Sequence, residues 1–249
     1  MSGYIEARVV ARHHWAPGLM TLTLDAPVPP FEPGQFMNLG LELGGHVVRR
    51  SYSIASAPGA TLEFLLTELA EGALTPALFR LEVGAPLLVD AKPQGFFTLR
   101  WVPPAGNLWM IATGTGLAPY ISMLRAGEVL RRFERIVVVH GVREAAQLAY
   151  ATELERLCAT HPRRISYVRL LTREAPTAGM LAGRIPAAIR DGRLETTAGL
   201  ELSPEQTHVL LCGNPAMIDD TMHALGERGL RRHRVRNPGH ITTEKYWDT

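Results

Sequence analysis

Cysteine is scarce in this sequence, which contains only Cys158 and Cys212 among its 249 residues. Two thiols cannot form a disulfide framework, and they are too few for a four-cysteine zinc or iron–sulfur site. The nine histidines do not show the HExxH spacing of a zinc helix. No serine lies in a GxSxG turn, which carries the nucleophile of α/β-hydrolases. We therefore expect no metal site and no hydrolase of that class.

Long apolar runs and a large net charge are absent as well. No run approaches the roughly 20 apolar residues that span a bilayer, and residues 1–15 interrupt every apolar run with a charge or a histidine. We therefore predict a cytoplasmic protein without a membrane segment. The formal net charge is +2, which is small for a nucleic-acid-binding protein, so we expect no nucleic-acid partner.

Residues 1–102 have the pattern of a β domain. Short runs of alternating or β-branched residues are separated by turns rich in Pro and Gly. The runs are ARVVARH, LMTLTLDAP, GQFMNLGLEL, HVVRRSYSIAS, TLEFLLTEL and APLLVDA. This pattern predicts an antiparallel barrel or sandwich. One helix is expected at PALFRLE, with Thr75 as its cap and Pro76 at its first position.

Residues 103–249 repeat the order strand, glycine turn and helix. Continuous apolar strands such as IVVVH and HVLLC are typical of a parallel sheet that is covered on both faces. Helices are predicted over 117–133, 143–157, 183–192 and 215–229. The first of them carries one apolar stripe, formed by Tyr120, Met123, Leu124 and Leu130. This pattern therefore predicts an α/β domain over residues 103–249, with the domain boundary after residue 102.

Two turns in the second half have features of a ligand site. In ATGTGLAP and LLCGNPAM a strand ends in small residues and a proline then starts a helix. Small residues let the backbone approach a ligand, and the N–H groups of a helix start favour an anion. Each motif alone is equally compatible with a tight turn that binds nothing. Cys212 alone is equally compatible with a small buried apolar residue.

Three motifs in this order resemble those of the ferredoxin–NADP+ reductases. They are Arg50-Ser51-Tyr52-Ser53, Gly114-Thr115-Gly116 followed by Ala118-Pro119, and Cys212-Gly213-Asn214-Pro215. The ending GHITTEKYW is similar to the aromatic C-terminus of the bacterial branch, and the resemblance covers essentially the whole chain. It implies an antiparallel Greek-key β-barrel over 1–102 that binds FAD. A parallel-sheet, Rossmann-like domain over 103–249 would bind NADP(H).

The resemblance assigns FAD to the RSYS strand and two other segments. Arg50 would bind the pyrophosphate, since a planar guanidinium suits phosphate oxygens, Tyr52 would pack along the flavin, and Ser53 would hydrogen-bond near flavin N5. Side chains alternate along a strand, so Arg50 and Tyr52 are expected on one face and Ser51 and Ser53 on the other. The predicted FAD residues are Arg50, Ser51, Tyr52, Ser53, Gly72, Ala73, Leu74, Thr75, Tyr246 and Trp247. Backbone N–H groups at 73–75 and the Thr75 hydroxyl would hold the second phosphate, and a plainly capped helix is the alternative there.

The preference for NADP over NAD is argued from charge. NADP sites supply arginine to the 2′-phosphate, whereas NAD sites place an acid on the ribose. Arg143 and Arg173 follow predicted strands, and Arg184 comes after them in GRIP. All three match the 2′-phosphate arginines of the family. The predicted NADP residues are Thr113, Gly114, Thr115, Gly116, Arg143, Arg173, Arg184, Cys212 and Gly213.

The resemblance also implies the catalytic residues, Ser53, Cys212, Glu244 and Tyr246. Ser53 and Cys212 would set the approach of nicotinamide to the flavin, and Glu244 would assist protonation. Tyr246 and Trp247 would cover FAD and move before nicotinamide stacks. The chain continues with Asp248 and Thr249, unlike the family's ending, so which aromatic covers the flavin and which the adenine stays open.

The implied activity is hydride transfer from NADPH to FAD, followed by single electrons to ferredoxin or flavodoxin. The basic run RRHRVR at 231–236 would dock these acidic partners, because complementary charge speeds encounter. A monomer is expected. Two alternatives share the motifs: a flavin or oxygenase reductase with another acceptor, and a non-catalytic FAD-binding electron-relay subunit. The second usually carries a cysteine cluster, which this sequence lacks.

Overall fold

The structure is a computed structural model, and it describes residues 3–59 and 61–245. The chain divides by its packing into two compact units. The first comprises Met1–Leu99 with Ala118–Ala126, and the second comprises Arg100–Leu117 with Gly127–Thr249. The segment Ala118–Ala126 thus lies with the first unit, beyond the boundary after residue 102 that the sequence predicts. That boundary stays a prediction.

The first unit contains an antiparallel sheet of six strands. They are β1 (Tyr4–Ala16), β2 (Leu19–Asp25), β3 (Phe36–Leu43), β4 (His46–Ser53), β5 (Leu62–Thr67) and β6 (Pro86–Asp90). Their order in the sheet is β4-β3-β6-β1-β2-β5. An antiparallel bridge between Ile54 and Phe64 joins the two ends of this order, which closes the sheet into a barrel. Each predicted run forms one strand, and the predicted fold class is confirmed.

Alternation along the barrel strands explains its core. Buried side chains such as Met20, Leu22, Met37, Leu39 and Phe64 are at most 1% exposed and pack together inside. Residues two apart on a strand share a face, so alternate residues fill the barrel.

Helix α2 (Ala118–Arg125) packs with this unit through two polar contacts. The Ser122 hydroxyl donates to the Ser56 carbonyl at 2.7 Å, and the Arg125 guanidinium lies 2.6 Å from the Glu63 carboxylate. Ser56 follows β4 by three residues, so α2 is attached close to the end of the RSYS strand.

The second unit contains a six-stranded parallel sheet. Its strands are β7 (Asn107–Thr113), β8 (Arg135–Val142), β9 (Ile165–Leu171), β10 (Met180–Ala182), β11 (Thr207–Gly213) and β12 (Ile241–Lys245). Their order is β10-β9-β8-β7-β11-β12. The helices of the unit are α3 (Glu128–Arg132), α4 (Ala151–Thr160), α5 (Ile185–Arg190), α6 (Arg193–Ala198) and α7 (Pro215–Gly226). The parallel sheet predicted from the continuous apolar strands is confirmed.

Several local predictions were wrong. The helix predicted over 117–133 breaks at Gly127, which has a left-handed φ of 73°, so Leu130 lies on α3 and does not continue the stripe of α2. Thr75 is the first residue of α1 (Thr75–Arg80) and not its cap; the cap position is Leu74. Strands β10 and β12 and helix α6 were not predicted, because they are short and carry no strong periodicity.

No helix within the described ranges is both long and apolar enough to span a bilayer.

Candidate active site

Strand β4 presents the RSYS motif at the end of the barrel sheet. In the pairing with β3, Arg50 lies opposite Leu39 and Tyr52 opposite Met37. Residues directly opposite on antiparallel strands point to the same face, so Arg50 and Tyr52 share one face. Ser51 and Ser53 lie on the other. The predicted alternation is confirmed.

The RSYS residues become less exposed toward the end of β4. Tyr52 packs against the barrel core, and this burial raises the pKa of its phenol to about 12 despite the opposing charge of Arg50. The phenol therefore remains a hydrogen-bond donor at neutral pH. Arg50 and Ser51 are exposed, and the Ser51 hydroxyl donates to the Asn38 side-chain carbonyl at 2.7 Å. Ser53, at the end of the strand, is buried.

The loop before α1 is tightly closed. The Gly72 N–H donates to the Leu69 carbonyl at 2.8 Å, and a Cβ at Gly72 would lie 3.0 Å from both the Leu69 carbonyl oxygen and the Thr75 hydroxyl. Glycine is therefore needed here because the loop folds back on itself.

One predicted contact of this loop needs correction. Thr75 Oγ1 accepts from the Leu69 N–H at 2.9 Å and donates to the Leu69 carbonyl at 3.2 Å. Since a hydroxyl has one proton, it has none left for a phosphate in this geometry. Among the described residues, no side chain caps the helix start at Leu74. The backbone N–H groups predicted at 73–75 therefore stay suitable for hydrogen bonds to an anion.

The glycine turns of the second unit lie at its topological switch point. The chain leaves β7 toward β8 on one side, and β11 later joins β7 on the other side. In open α/β sheets, ligands bind beside the carboxyl ends of the two strands at such a point. The turn after β7, Gly114–Leu117, and the end of β11 at Cys212 and Gly213 occupy this position.

These two turns pack directly on each other. A Cβ at Gly116 would lie 2.4 Å from the Cys212 carbonyl oxygen, and a Cβ at Gly213 would lie 2.5 Å from Thr113 Oγ1. Gly213 also has a φ of 138°, which other residues rarely adopt. Glycine at both positions allows a backbone-to-backbone contact that brings the two predicted motifs together.

Gly114 differs from its neighbours in the turn. Its φ is 53°, and a Cβ there would meet nothing within 4 Å. Its carbonyl lies 3.0 Å from Nε2 of the buried His140, a residue that the sequence reading did not single out. The sequence feature that could have indicated His140 is its place near the end of the apolar run IVVVHG, because a buried polar side chain requires a hydrogen-bond partner.

Three exposed arginines follow three neighbouring strands. Arg143 comes directly after β8, and Arg173 and Arg184 come shortly after β9 and β10. The Arg173 N–H donates to the Arg143 carbonyl at 2.9 Å, which places the first two residues side by side. Within 3–59 and 61–245, no hydrogen bond or ion pair engages any of these three guanidinium groups. Three unpaired cations at one sheet edge suit a phosphate dianion.

Of the remaining predicted catalytic residues, Cys212 and Glu244 lie on two neighbouring strands, and Tyr246 lies outside the described residues. Cys212 on β11 is fully buried and pairs in register with Glu244 on β12. Strand β12 thus brings Glu244 beside Cys212, although the sequence did not predict this strand. Lys245, which follows, forms an ion pair with Asp219 of α7 at 2.9 Å. Tyr246 and Trp247 lie outside the described residues.

Known oxidoreductases match this chain in part or over its whole length. The family model of the oxidoreductase NAD-binding domain matches residues 110–223. The chain is 42% identical over 249 residues to a flavodoxin/ferredoxin–NADP reductase of Escherichia coli K12, covering 99% of this chain and 100% of that one. It is 34% identical to a ferredoxin–NADP reductase of Azotobacter vinelandii, covering 98% of each.

A solved structure also matches over the full length. A ferredoxin–NADP+ reductase of Neisseria gonorrhoeae with bound FAD and NADP superposes with a TM-score of 0.94 at 30% identity, covering 99% of this chain and 100% of that one. Identity of this extent over the whole length of both chains shows common family membership. This chain belongs to the family of the flavodoxin/ferredoxin–NADP reductases.

Proposed function

We propose that this chain passes electrons from NADPH through FAD to ferredoxin or flavodoxin, with the residues assigned below. The observation that carries the assignment is the set of three unpaired arginines that follow β8, β9 and β10. They lie at the same carboxyl edge of the sheet as the glycine turns after β7 and β11. The full-length match to reductases of this name supports the activity itself. FAD would be held by residues 1–102 with the C-terminal aromatics, and NADP(H) by residues 103–249.

The FAD site would combine strand β4 with the loop before α1. Arg50 offers a planar, exposed guanidinium to the pyrophosphate, and Tyr52 offers a half-buried ring and a protonated phenol. Ser51 and Ser53 are the other FAD residues assigned on this strand. The backbone N–H groups of residues 73–75, which follow the turn at Gly72, suit the second phosphate. Tyr246 and Trp247 are assigned to FAD by resemblance to the family.

The NADP(H) site would lie at the carboxyl edge of the parallel sheet. The backbone from Thr113 to Gly116 would contact the phosphates of the dinucleotide, and Cys212 and Gly213 would lie beside the nicotinamide. Arg143, Arg173 and Arg184 would bind the 2′-phosphate, the group by which NADPH differs from NADH.

When bound, FAD supplies the hydride-accepting and one-electron chemistry of the reaction. The protein residues position the flavin and the nicotinamide. Ser53 and Cys212, both buried, would set the approach of nicotinamide to the flavin. Glu244, beside Cys212, is the assigned proton carrier, and Tyr246 is assigned as a cover that moves aside for nicotinamide.

The acceptor would dock on the basic run 231–236. Arg231, Arg232, Arg234 and Arg236 are exposed, and backbone hydrogen bonds from His233 to Ile241 and from His240 to Arg231 hold the run beside β12. Exposed positive charge attracts acidic ferredoxin or flavodoxin and speeds their encounter. We propose a monomeric cytoplasmic protein that binds no nucleic acid.

The activity is tested by an anaerobic visible spectrum of the purified protein before and after NADPH. We expect flavin absorption that NADPH bleaches, and cytochrome c reduction that ferredoxin or flavodoxin accelerates. Flavin absorption without bleaching would instead show a non-catalytic relay subunit. Bleaching without any effect of the added carrier would indicate a reductase for another acceptor.

The arginine assignment predicts a change in cofactor preference. Replacing Arg143 and Arg184 with alanine should raise the KM for NADPH roughly 10-fold per arginine, because each loses a charge-assisted bond to the 2′-phosphate. The KM for NADH should change little. Arg163, an exposed arginine before the amino end of β9, is the matched control, and Arg163→Ala should alter neither constant. Equal changes for both nucleotides would contradict the assignment.

A further inference from the structure

His140 is a fully buried histidine of the second unit to which none of the assignments above gives a role. It is 0% exposed and lies on β8, in register with Ala112 of β7. Its Nε2 is 3.0 Å from the Gly114 carbonyl oxygen, and its Nδ1 is 3.5 Å from the Tyr167 hydroxyl of β9. The ring therefore links strands β8 and β9 to the glycine turn that follows β7.

These two contacts define the tautomer of the ring. A carbonyl oxygen only accepts hydrogen bonds, so Nε2 must carry the proton, and Nδ1 is left to accept from the Tyr167 hydroxyl. Burial lowers the pKa of His140 to about 4, so the ring is neutral near pH 7. Burial also raises the pKa of Tyr167, which keeps its hydroxyl as a donor.

The bond from His140 determines which way the next peptide faces. The described residues contain no cis peptide bond, and in a trans peptide the carbonyl and the following N–H point in opposite directions. Since the Gly114 carbonyl points to His140, the Thr115 N–H points away from it. The position that a Cβ of residue 114 would occupy is open, because nothing lies within 4 Å of it.

The reversed orientation of this peptide would be unfavourable for a phosphate. A flip of the Gly114–Thr115 peptide rotates ψ of Gly114 and φ of Thr115 together, and it would turn the Gly114 carbonyl oxygen toward the ligand side. Glycine permits the change at residue 114, whereas Thr115 would have to adopt a positive φ, which is costly for a β-branched residue. The bond from His140 opposes the same flip from the carbonyl side, before the ligand arrives.

We propose that His140 is a positioning residue for NADP(H): it holds the Gly114–Thr115 peptide so that the Thr115 N–H faces a phosphate of the dinucleotide. The inference rests on the proposed binding of NADP(H) at this turn. Tyr167 acts one step further back, by keeping the proton of His140 on Nε2.

The test measures the Kd of NADP+ by isothermal titration calorimetry on the FAD-loaded enzyme. His140→Leu introduces an apolar side chain of similar size that has no hydrogen-bond donor. We expect the Kd of this variant for NADP+ to rise about tenfold. His140→Gln places an amide N–H at a similar reach, so most of the affinity should return. The matched control is His208→Leu. His208 is also buried, and its Nε2 contacts Thr242 Oγ1 at 2.9 Å, but it lies at the opposite, amino-terminal end of β11.

The outcomes separate this inference from the proposed function. Wild-type enzyme that does not bind NADP+ would refute the proposed function. Binding by wild type and unchanged binding by folded His140→Leu would refute the role of His140, as would an equal loss in His208→Leu. If His140→Leu does not fold, nitrogen NMR of histidine-labelled wild type decides: a neutral Nε2–H tautomer near pH 7 is expected, and an Nδ1–H tautomer would overturn the proposal.

Discussion

Replacing Gly116 with alanine should lower kcat/KM for NADPH about 100-fold, the effect of moving a binding turn by about 1 Å. The added Cβ would lie 2.4 Å from the Cys212 carbonyl oxygen, 2.7 Å from the Cys212 carbonyl carbon and 3.0 Å from the Gly213 Cα. All three are backbone atoms, so no side-chain rotation relieves the contact. The two turns must separate, and the free energy of unfolding should fall by about 1–3 kcal/mol.

Gly106 offers a matched control for this substitution in the same unit. A Cβ at Gly106 would come no closer than 3.9 Å to the atoms around it, so Gly106→Ala should leave the kinetics and the unfolding midpoint nearly unchanged. Steady-state kinetics and denaturant unfolding measure both effects. Gly116→Ala with wild-type kinetics would mean that contact between the turns at Cys212 does not shape the NADP(H) site.

Replacing Arg50 with alanine should raise the Kd of FAD roughly 10- to 100-fold, the range expected for losing a charge-assisted bond to phosphate. Arg50 is exposed on the face of β4 that also carries Tyr52, and its guanidinium donates to the Arg49 carbonyl at 2.7 Å. This contact leaves most of its five N–H donors for the cofactor. Arg50→Lys retains the charge but loses the planar fork, so an intermediate Kd is expected.

Arg49 is the natural control because it precedes Arg50 and points to the opposite face of the strand. Its guanidinium contacts the Tyr4 hydroxyl and lies 5.6 Å from the centre of the Tyr4 ring, so Arg49 binds another residue of the barrel sheet. Arg49→Ala should therefore leave the Kd of FAD close to that of wild type. Fluorescence titration of the FAD-free protein with FAD compares the three variants. An equal loss in Arg49→Ala and Arg50→Ala would show that net charge, and not the position of Arg50, retains FAD.

The architecture was predictable because its signals are local. Alternation along the strands of residues 1–102 places every second side chain in the barrel, and no distant residue is needed to see this. The apolar strands IVVVH and HVLLC similarly demand cover on both faces, which a parallel sheet provides. The confirmed alternation of Arg50 and Tyr52 with Ser51 and Ser53 follows from the same period of two.

Details that depend on a single residue or on a distant partner were not predictable in this way. Gly127 breaks the helix predicted over 117–133, although glycine is tolerated inside many helices and carries no certain stop signal. The Thr75 hydroxyl accepts a hydrogen bond from the Leu69 N–H, six residues earlier, because the loop folds back at Gly72. Strand β12 formed because β11 offers an edge to pair with, and its own five residues contain little pattern.

The pattern of residues along the chain was enough to predict the two domain types, the order of most strands along the chain, and the residue types that suit phosphates and a flavin. These follow from side-chain periodicity and from the chemistry of arginine, tyrosine and glycine, which neighbouring residues reveal. Three contacts depend on how the strands pack: Gly116 lies against Cys212, Glu244 lies beside Cys212, and His140 bonds to Gly114. Each of these contacts joins residues that are far apart in the chain, and they meet because the strand order β8-β7-β11-β12 makes their strands neighbours.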